Sequence, residues 1–508
     1  MLISPEQLTP GRAVEADALV VGTGAGGAVA GRELAEAGLD VAFLEEGDFH
    51  AARDYGHASP LEAIQLLYRK GGLTFTTGNA SIVLPAGRCV GGTTVINSGT
   101  ALRAMPGAVD RWRDEFGLRE LAANLEAAYA RVEETLHVAP VAPEVFGRNG
   151  DLFRKGAERT GHRGSVLTRA ARDCRGSGRC CMGCPNDAKQ ATHLSYVPRA
   201  LRAGARLYVR CRVRRILVEG GRAAGAVAEA GGREVVFRAP IVVVAAGAVF
   251  TPLLLAGVPR SGSGLGRHLR IHPASRVVGL FDEEVRGWEG VPQGYHLEDT
   301  LEEGISIEGI FVPPTLMSPS LPDFGPAIMG RYNQLGMIGY RVLEETEGRV
   351  LPRVLGRPSS WPVVWYWLRR SDVTRLRRAA SISAEILFAA GARRVFTAVH
   401  GFEVLDSMKD VARLSEAPIS TGDLELSAYH AQGTARMADR PDLGVADPWG
   451  QVWGVRGLYV ADASALPATP GTNPQVSIMA FATHVASGIL AGRGRALAST
   501  KGALSPSS

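Results

Sequence analysis

A short apolar run, Asp17-Ala-Leu-Val-Val21, ends directly in Gly22-Thr23-Gly24-Ala25-Gly26-Gly27, and a helical pattern follows to about Ala37. Gly22, Gly24 and Gly27 have the spacing G-x-G-x-x-G between a strand and a helix. The first glycine permits a tight turn, the second lets backbone approach a pyrophosphate, and the third lets helix and strand pack closely. Gly38 stops the helix and Leu39–Leu44 reads as a second strand, completing a βαβ unit. Glu45 ends that strand 23 residues after Gly22, where a carboxylate meets ribose hydroxyls. An ordinary Gly-rich turn would not bring strand, helix and acid together. The fingerprint does not separate FAD from NAD, and it occurs once, so one dinucleotide is expected.

The rest of the chain sets bounds. Its 508 residues suffice for one or two cored domains. A net charge of +5 is too small and dispersed to argue for nucleic acid. The first apolar run is too short for a signal-peptide core, and no stretch reads as a transmembrane segment of ~18 apolar residues. A soluble, cytoplasmic protein is expected.

Residues 205–246 alternate like a β-meander that ends in the apolar strand Ile241–Ala245. Residues 111–135 read as a charged helix belonging to a cap. Gly457–Ala461 reads as another apolar strand and Asn473–Leu490 as a mostly apolar helix. The expected fold is α/β: a Rossmann-like nucleotide-binding domain from 14–105, 201–274 and 421–494, interleaved with an α+β substrate-binding or cap domain from 106–200 and 275–420 that contains an antiparallel sheet. Residues 495–508 read as a flexible tail.

Further blocks narrow the function. Gly87–Asn97 sets an arginine and small residues beside an apolar strand. Together with Gly22–Glu45, Ala245–Pro252, His430–Met437 and Tyr459–Ile478, it resembles the glucose-methanol-choline (GMC) oxidoreductases, with the blocks in family order. The resemblance implies FAD held at its ADP half by Gly22, Gly24, Gly27 and Glu45. It implies that Arg88, Gly91, Gly92, Thr94 and Asn97 line the pyrophosphate and isoalloxazine. Val213 would meet the adenine through its backbone, and Asp462 and Ala463 would lie near the pyrophosphate and ribityl chain. Some members attach FAD through a histidine just before the asparagine of the second block. Here that position is Ile96, so non-covalent FAD is expected.

His430 matches the family's catalytic histidine and Asn473 its partner. Oxidising an alcohol removes a hydroxyl proton and a hydride from one C–OH unit. Flavin N5 takes the hydride, and imidazole suits the proton because it titrates near neutrality. Asn473 can hydrogen-bond the hydroxyl or alkoxide without competing for the proton. The helix beginning near Asn473, with Pro474 in its first turn, would favour negative charge on reduced flavin by a few tenths to ~1 kcal/mol. His272-Pro273 reads as a structural turn, and His400 and His484 stay unassigned. Most strand carboxylates are solvated, so Glu308 is noted only as an alternative second base.

Cys174, Cys180, Cys181 and Cys184 place four thiols within eleven residues, followed by Pro185. Some sugar dehydrogenases of the family hold an iron–sulfur cluster in this region. The spacing is not a ferredoxin repeat, and adjacent Cys180 and Cys181 do not readily share a metal. A zinc pair, or a Gly-rich loop with reduced thiols or one disulfide, are the alternatives. Cys89 and Cys211 read as buried free thiols.

The leading expectation is therefore FAD-dependent oxidation of an alcohol to a carbonyl, with oxygen or a quinone or cytochrome as acceptor. A bulky or apolar alcohol is favoured, because Tyr459–Pro467 and Asn473-Pro474 resemble the sterol and long-chain alcohol members. The alternatives are a sugar or glycoside dehydrogenase passing electrons through a cluster at Cys174–Cys184, a lyase without net redox, and a non-catalytic electron-transfer or scaffold subunit.

Overall fold

The computed structural model describes residues 1–260, 262–317 and 328–502. Six strands form a wholly parallel sheet, ordered Leu2–Ile3, Arg206–Tyr208, Val41–Leu44, Ala18–Val21, Ile241–Val244 and Leu458–Val460. The chain passes from the central strand Ala18–Val21 to one side through Val41–Leu44, then to the other through Ile241–Val244. That reversal opens a crevice at the strands' carboxyl ends, where ligands of such sheets bind. The strands Ala18–Val21 and Val41–Leu44 are buried throughout, as a parallel sheet covered on both faces requires.

The helix Ala25–Glu36 starts in the glycine turn and ends before Gly38, whose φ is +86°. The long C-terminal helix Gln475–Gly502 packs against it. A side chain at Gly26 would overlap the Ala461 carbonyl and lie 3.0 Å from Asp462 Cα. Gly26→Ala is therefore expected to cost about 1–3 kcal/mol through overpacking, read as a lowered melting temperature. An unchanged melting temperature would contradict this close helix–strand approach.

The meander expected over 205–246 is shorter than its pattern. Cys211–Glu219, Arg222–Ala230 and Arg233–Arg238 pair antiparallel, but Arg206–Tyr208 joins the parallel sheet. Arg210, in the left-handed region at φ +48°, turns the chain from one sheet to the other. The charged helix expected in a cap is two helices, Pro106–Asp114 and Arg119–Leu136. Leu121, Leu125, Val132 and Leu136 join the core of the parallel sheet rather than covering the active face.

A second core lies under a large sheet built mainly from residues with little sequence signature. Its order is Val404–Leu405, Arg394–Thr397, Ala274–Leu280, Leu335–Val342, Ile305–Gly309, Tyr295–Leu297 and Gly164–Val166, all antiparallel. The helix Arg370–Ala389 packs against this sheet. Within the C-terminal helix, Gln475–Gly492 is long and apolar enough to cross a membrane, but 67% of it is buried inside the protein. The flexible tail expected at 495–508 is corrected over residues 495–502, which continue the C-terminal helix, and residues 503–508 lie outside the described residues.

Candidate active site

One cavity of about 920 Å³ runs from the glycine turn of the parallel sheet to the inner face of the antiparallel sheet. Gly22, Gly24, Glu45, Gly92, Thr94, Asn97, Val213, Asp462, Ala463, His430 and Asn473 all line it. Gly27 is the third residue of the helix Ala25–Glu36, behind that wall. Arg88 does not reach the wall: its side chain is exposed and pairs with Glu46 at 3.4 Å. Gly91 stands behind the wall too, its N–H donating to Thr23 Oγ1 at 3.0 Å.

The glycine turn fits a dinucleotide pyrophosphate. Gly22 takes φ +96°, which a side chain would strain, and nothing lies within 4 Å of where a Cβ on Gly24 would stand. The helix that follows has no side-chain cap and no acid in its first turn. Its free N–H groups therefore meet an anion without competition. Ile96 also lines the cavity, and its side chain offers no nitrogen for a covalent flavin link.

Two acids on this wall are already engaged. Glu45 Oε2 accepts from Thr23 N–H at 3.0 Å and Thr23 O–H at 2.6 Å, and Oε1 accepts from Gly47 N–H at 2.9 Å. Asp462 accepts from Ser464 N–H and O–H, Gly247 N–H and Thr251 O–H. Burial raises both carboxyls above their ordinary range, against the pull of these donors. Asp462 thus ties the end of the strand Leu458–Val460 to the loop after Ile241–Val244.

The catalytic candidates converge by backbone pairing. Gly433 N–H donates to Ala463 O, and Ala435 N–H to Ser464 O, which lays the His430 block along the C-terminal block. Arg270 and Gln432 exchange backbone bonds of 3.1 and 2.9 Å, bringing His272 to His430. The Nδ1 atoms of His272 and His430 are 3.1 Å apart. His272 sits at φ +54°, a region that non-glycine residues seldom adopt. Glu344 supports that turn by accepting from the N–H groups of Ile271 and His272. His272 is thus more than the structural turn expected from His-Pro.

Arg341 was not visible to sequence reasoning. It comes from near the end of Leu335–Val342, a strand buried at every position. Its guanidinium donates to Glu308 Oε1 at 2.6 Å and to Asn473 Oδ1 at 3.1 Å. Glu308 also accepts from Gln293. A lone arginine interrupting an otherwise apolar strand was the available signal, since buried charges are paired or functional. Because Arg341 occupies the carbonyl oxygen of Asn473, the amide NH₂ is left to donate.

Burial, and then the positive charge of Arg341, holds the His430 imidazole well below its ordinary range. Burial does the same to His272, followed by His430, Arg341 and Arg270. Both rings are therefore neutral at neutral pH, and a neutral imidazole is the form that accepts a proton.

The cysteine segment does not assemble the ligand set that a cluster needs. All six cysteines are free thiols, as expected for Cys89 and Cys211. Among the described residues no group of three or more His, Cys, Asp or Glu side chains is placed to hold a metal. Two buried cations stand among the sulfurs instead. Arg169 donates to Cys180 Sγ at 3.0 Å and reaches Cys174 Sγ at 4.0 Å. Lys189 Nζ donates to the carbonyls of Val95 and Cys180, both at 2.7 Å, and to that of Asn97. The expectation of Cys174, Cys180, Cys181 and Cys184 as ligands is corrected: the loop braces the second glycine block from beneath.

Family models described as GMC oxidoreductase match residues 64–274 and 356–482. An uncharacterised GMC-type oxidoreductase of Mycobacterium tuberculosis is 41% identical over 488 residues, covering 93% of this chain and 75% of the relative.

This chain belongs to the GMC oxidoreductase family.

GMC oxidoreductases bind FAD, and their alcohol oxidases oxidise CH–OH groups. A long-chain-alcohol oxidase of Arabidopsis thaliana is 27% identical over 514 residues, covering 94% of this chain and 67% of the relative. Among solved structures, pyridoxine 4-oxidase from Mesorbium loti superposes with a TM-score of 0.71 at 18% identity, covering 93% of this chain and 98% of that one. A formate oxidase variant of Aspergillus oryzae gives 0.71 at 16% identity, covering 96% and 100%. At these identities the superpositions speak for the fold.

Proposed function

We propose that this GMC oxidoreductase oxidises a bulky or apolar alcohol to its carbonyl, with non-covalent FAD as the oxidant. The observation that carries the proposal is that His430 and Asn473 stand on the wall of the same cavity as the bare glycine turn. The likeness to long-chain-alcohol oxidases supports the substrate class, as do Leu84, Val249, Phe250, Leu253, Ile310 and Phe311 in the cavity wall. When bound, FAD would supply the hydride acceptor, with oxygen or a quinone or cytochrome as the final electron acceptor.

The residues divide the remaining work. His430 takes the hydroxyl proton at Nε2, because its Nδ1 faces His272. That requires the resting proton of His430 on Nδ1, donated to His272 Nδ1, with the proton of His272 on Nε2 toward Thr469 Oγ1. His272 thus sets the tautomer of the base. Asn473 donates its amide to the developing alkoxide, and Arg341 fixes the orientation of that amide while adding positive charge. Glu308 balances Arg341 and limits how far the pair can move.

An anaerobic screen of alcohols, sterols and sugars against purified protein tests the reading. Loss of the flavin band with an apolar alcohol supports it, whereas bleaching only by sugars, or by no alcohol, rejects it. A pH series adds a second test. The acid limb of kcat/KM is expected well below the ordinary imidazole value of about 6.5, because His430 stays neutral there. The unfolded chain binds protons on His272 and His430 that the folded chain rejects. Their contribution to stability is therefore present above about 6.5 and lost as pH falls toward their lower folded-state values. Melting temperatures measured across that window should fall with acidification.

A further inference from the structure

The strands Arg349–Val354, Arg357–Tyr366 and Thr76–Gly78 form a separate three-stranded sheet. One face is core: Val350, Val364, Tyr366 and Thr76 are buried. Alternation predicts a polar opposite face. That face instead carries Trp361, Trp365 and Trp367, which are 54%, 45% and 58% exposed, and Phe75, also exposed. These are three of the chain's seven tryptophans. Trp365 and Trp367 stack with ring centroids 6.0 Å apart, and Lys70 Nζ lies 2.9 Å from the Trp361 ring centroid. At the hairpin tip Leu355 is 98% exposed.

Basic residues dominate the segment that carries this patch. Residues 349–370 contain five arginines and no Asp or Glu, and residues 70–81 contain no acid either. Arg349 lies directly across from Trp365 in the sheet. Arg353 is exposed and donates to the backbone carbonyls of Gly356 and Ala256. The patch also adjoins the cavity. Gly71, Gly72 and Leu73 line that cavity, Leu73 is itself largely exposed, and Phe75 bridges to Val83 in the wall.

Exposed indole rings flanked by basic side chains match the depth profile of a bilayer interface. Tryptophan rings settle at headgroup level, and arginines are drawn to anionic lipid. We propose that the Trp361–Trp365–Trp367 face docks on an anionic lipid surface and turns the cavity mouth toward it. The docking does not depend on the reaction proposed above, so the two can fail separately.

Co-sedimentation of the holoenzyme with vesicles of phosphatidylcholine, with and without phosphatidylglycerol, tests the proposal. Binding is expected to the phosphatidylglycerol vesicles, with a blue-shifted tryptophan emission and weakening by salt. Trp365→Ser with Trp367→Ser should abolish the emission shift. Arg349→Gln with Arg353→Gln should weaken binding about thirtyfold while leaving the rings, the flavin content and activity on a dispersed short alcohol unchanged. His430→Ala should bind vesicles like the parent protein. Absence of vesicle binding overturns the proposal, as does equal binding to neutral vesicles. So does a concentration-dependent dimer that the tryptophan replacements dissolve, since the face would then belong to a second copy of the chain.

Discussion

Replacing His430 with alanine is expected to slow anaerobic flavin reduction by alcohol about 10³-fold, within the ~10²–10⁴ that general base catalysis supplies. The flavin should still bind, because the replacement leaves the glycine turn that fits the pyrophosphate intact. Stopped-flow loss of the flavin band, beside a titration of FAD affinity, separates the two effects. His272→Ala should give a smaller loss, since the base remains but its tautomer is no longer imposed. The loss should fall on kcat more than on KM, because tautomer matters to proton transfer rather than to binding the alcohol. A His430→Ala protein that bleaches at the parental rate would remove the imidazole from the mechanism.

The second large effect is expected at Arg341. Its guanidinium and the Glu308 carboxylate are 2.6 Å apart, with side-chain exposures of 8% and 3%. Removing one partner of such a pair leaves a charge buried without compensation, which costs about 3–5 kcal/mol. Arg341→Met should therefore destabilise by that order. Arg341→Met combined with Glu308→Leu should recover much of the loss, since apolar replacement of a whole buried pair is often close to neutral. Denaturant unfolding of the single and double variants measures both. The double variant should be folded yet slow, because Asn473 loses the partner that orients its amide. A fully active double variant would show that Asn473 needs no such support.

Glu344 illustrates how far the fold shapes the site from outside it. Burial pushes its carboxyl up to about 7, although three donors from Ile271, His272 and Tyr366 draw on it. The N–H groups of Ile271 and His272 that it accepts from hold the left-handed turn at His272, and through that turn the position of His430. No local pattern around Glu344 marks it out, because its significance lies in which backbone N–H groups face it.

What the sequence determined by itself was local and backbone-driven. The glycine turn, the helix Ala25–Glu36, its stop at Gly38 and the two flanking strands follow from short-range steric rules that act wherever the segment is placed. His430 and Asn473 were legible as well, because each sits in a short block that resembles the family, Tyr429–Thr434 and Gly471–Pro474. Only the tertiary structure decided the rest. Arg341, Glu308, His272 and Glu344 come from strands and turns scattered over 73 residues of sequence, and antiparallel register brings them together. For the cysteine segment the sequence left a cluster, a zinc pair and a loop of reduced thiols open, because spacing counts thiols and cannot see Arg169 and Lys189 folding in among them. The physical reason is the same throughout: a turn is set by the dihedral limits of its own residues, whereas a buried charge takes its meaning from distant partners that exclude water around it.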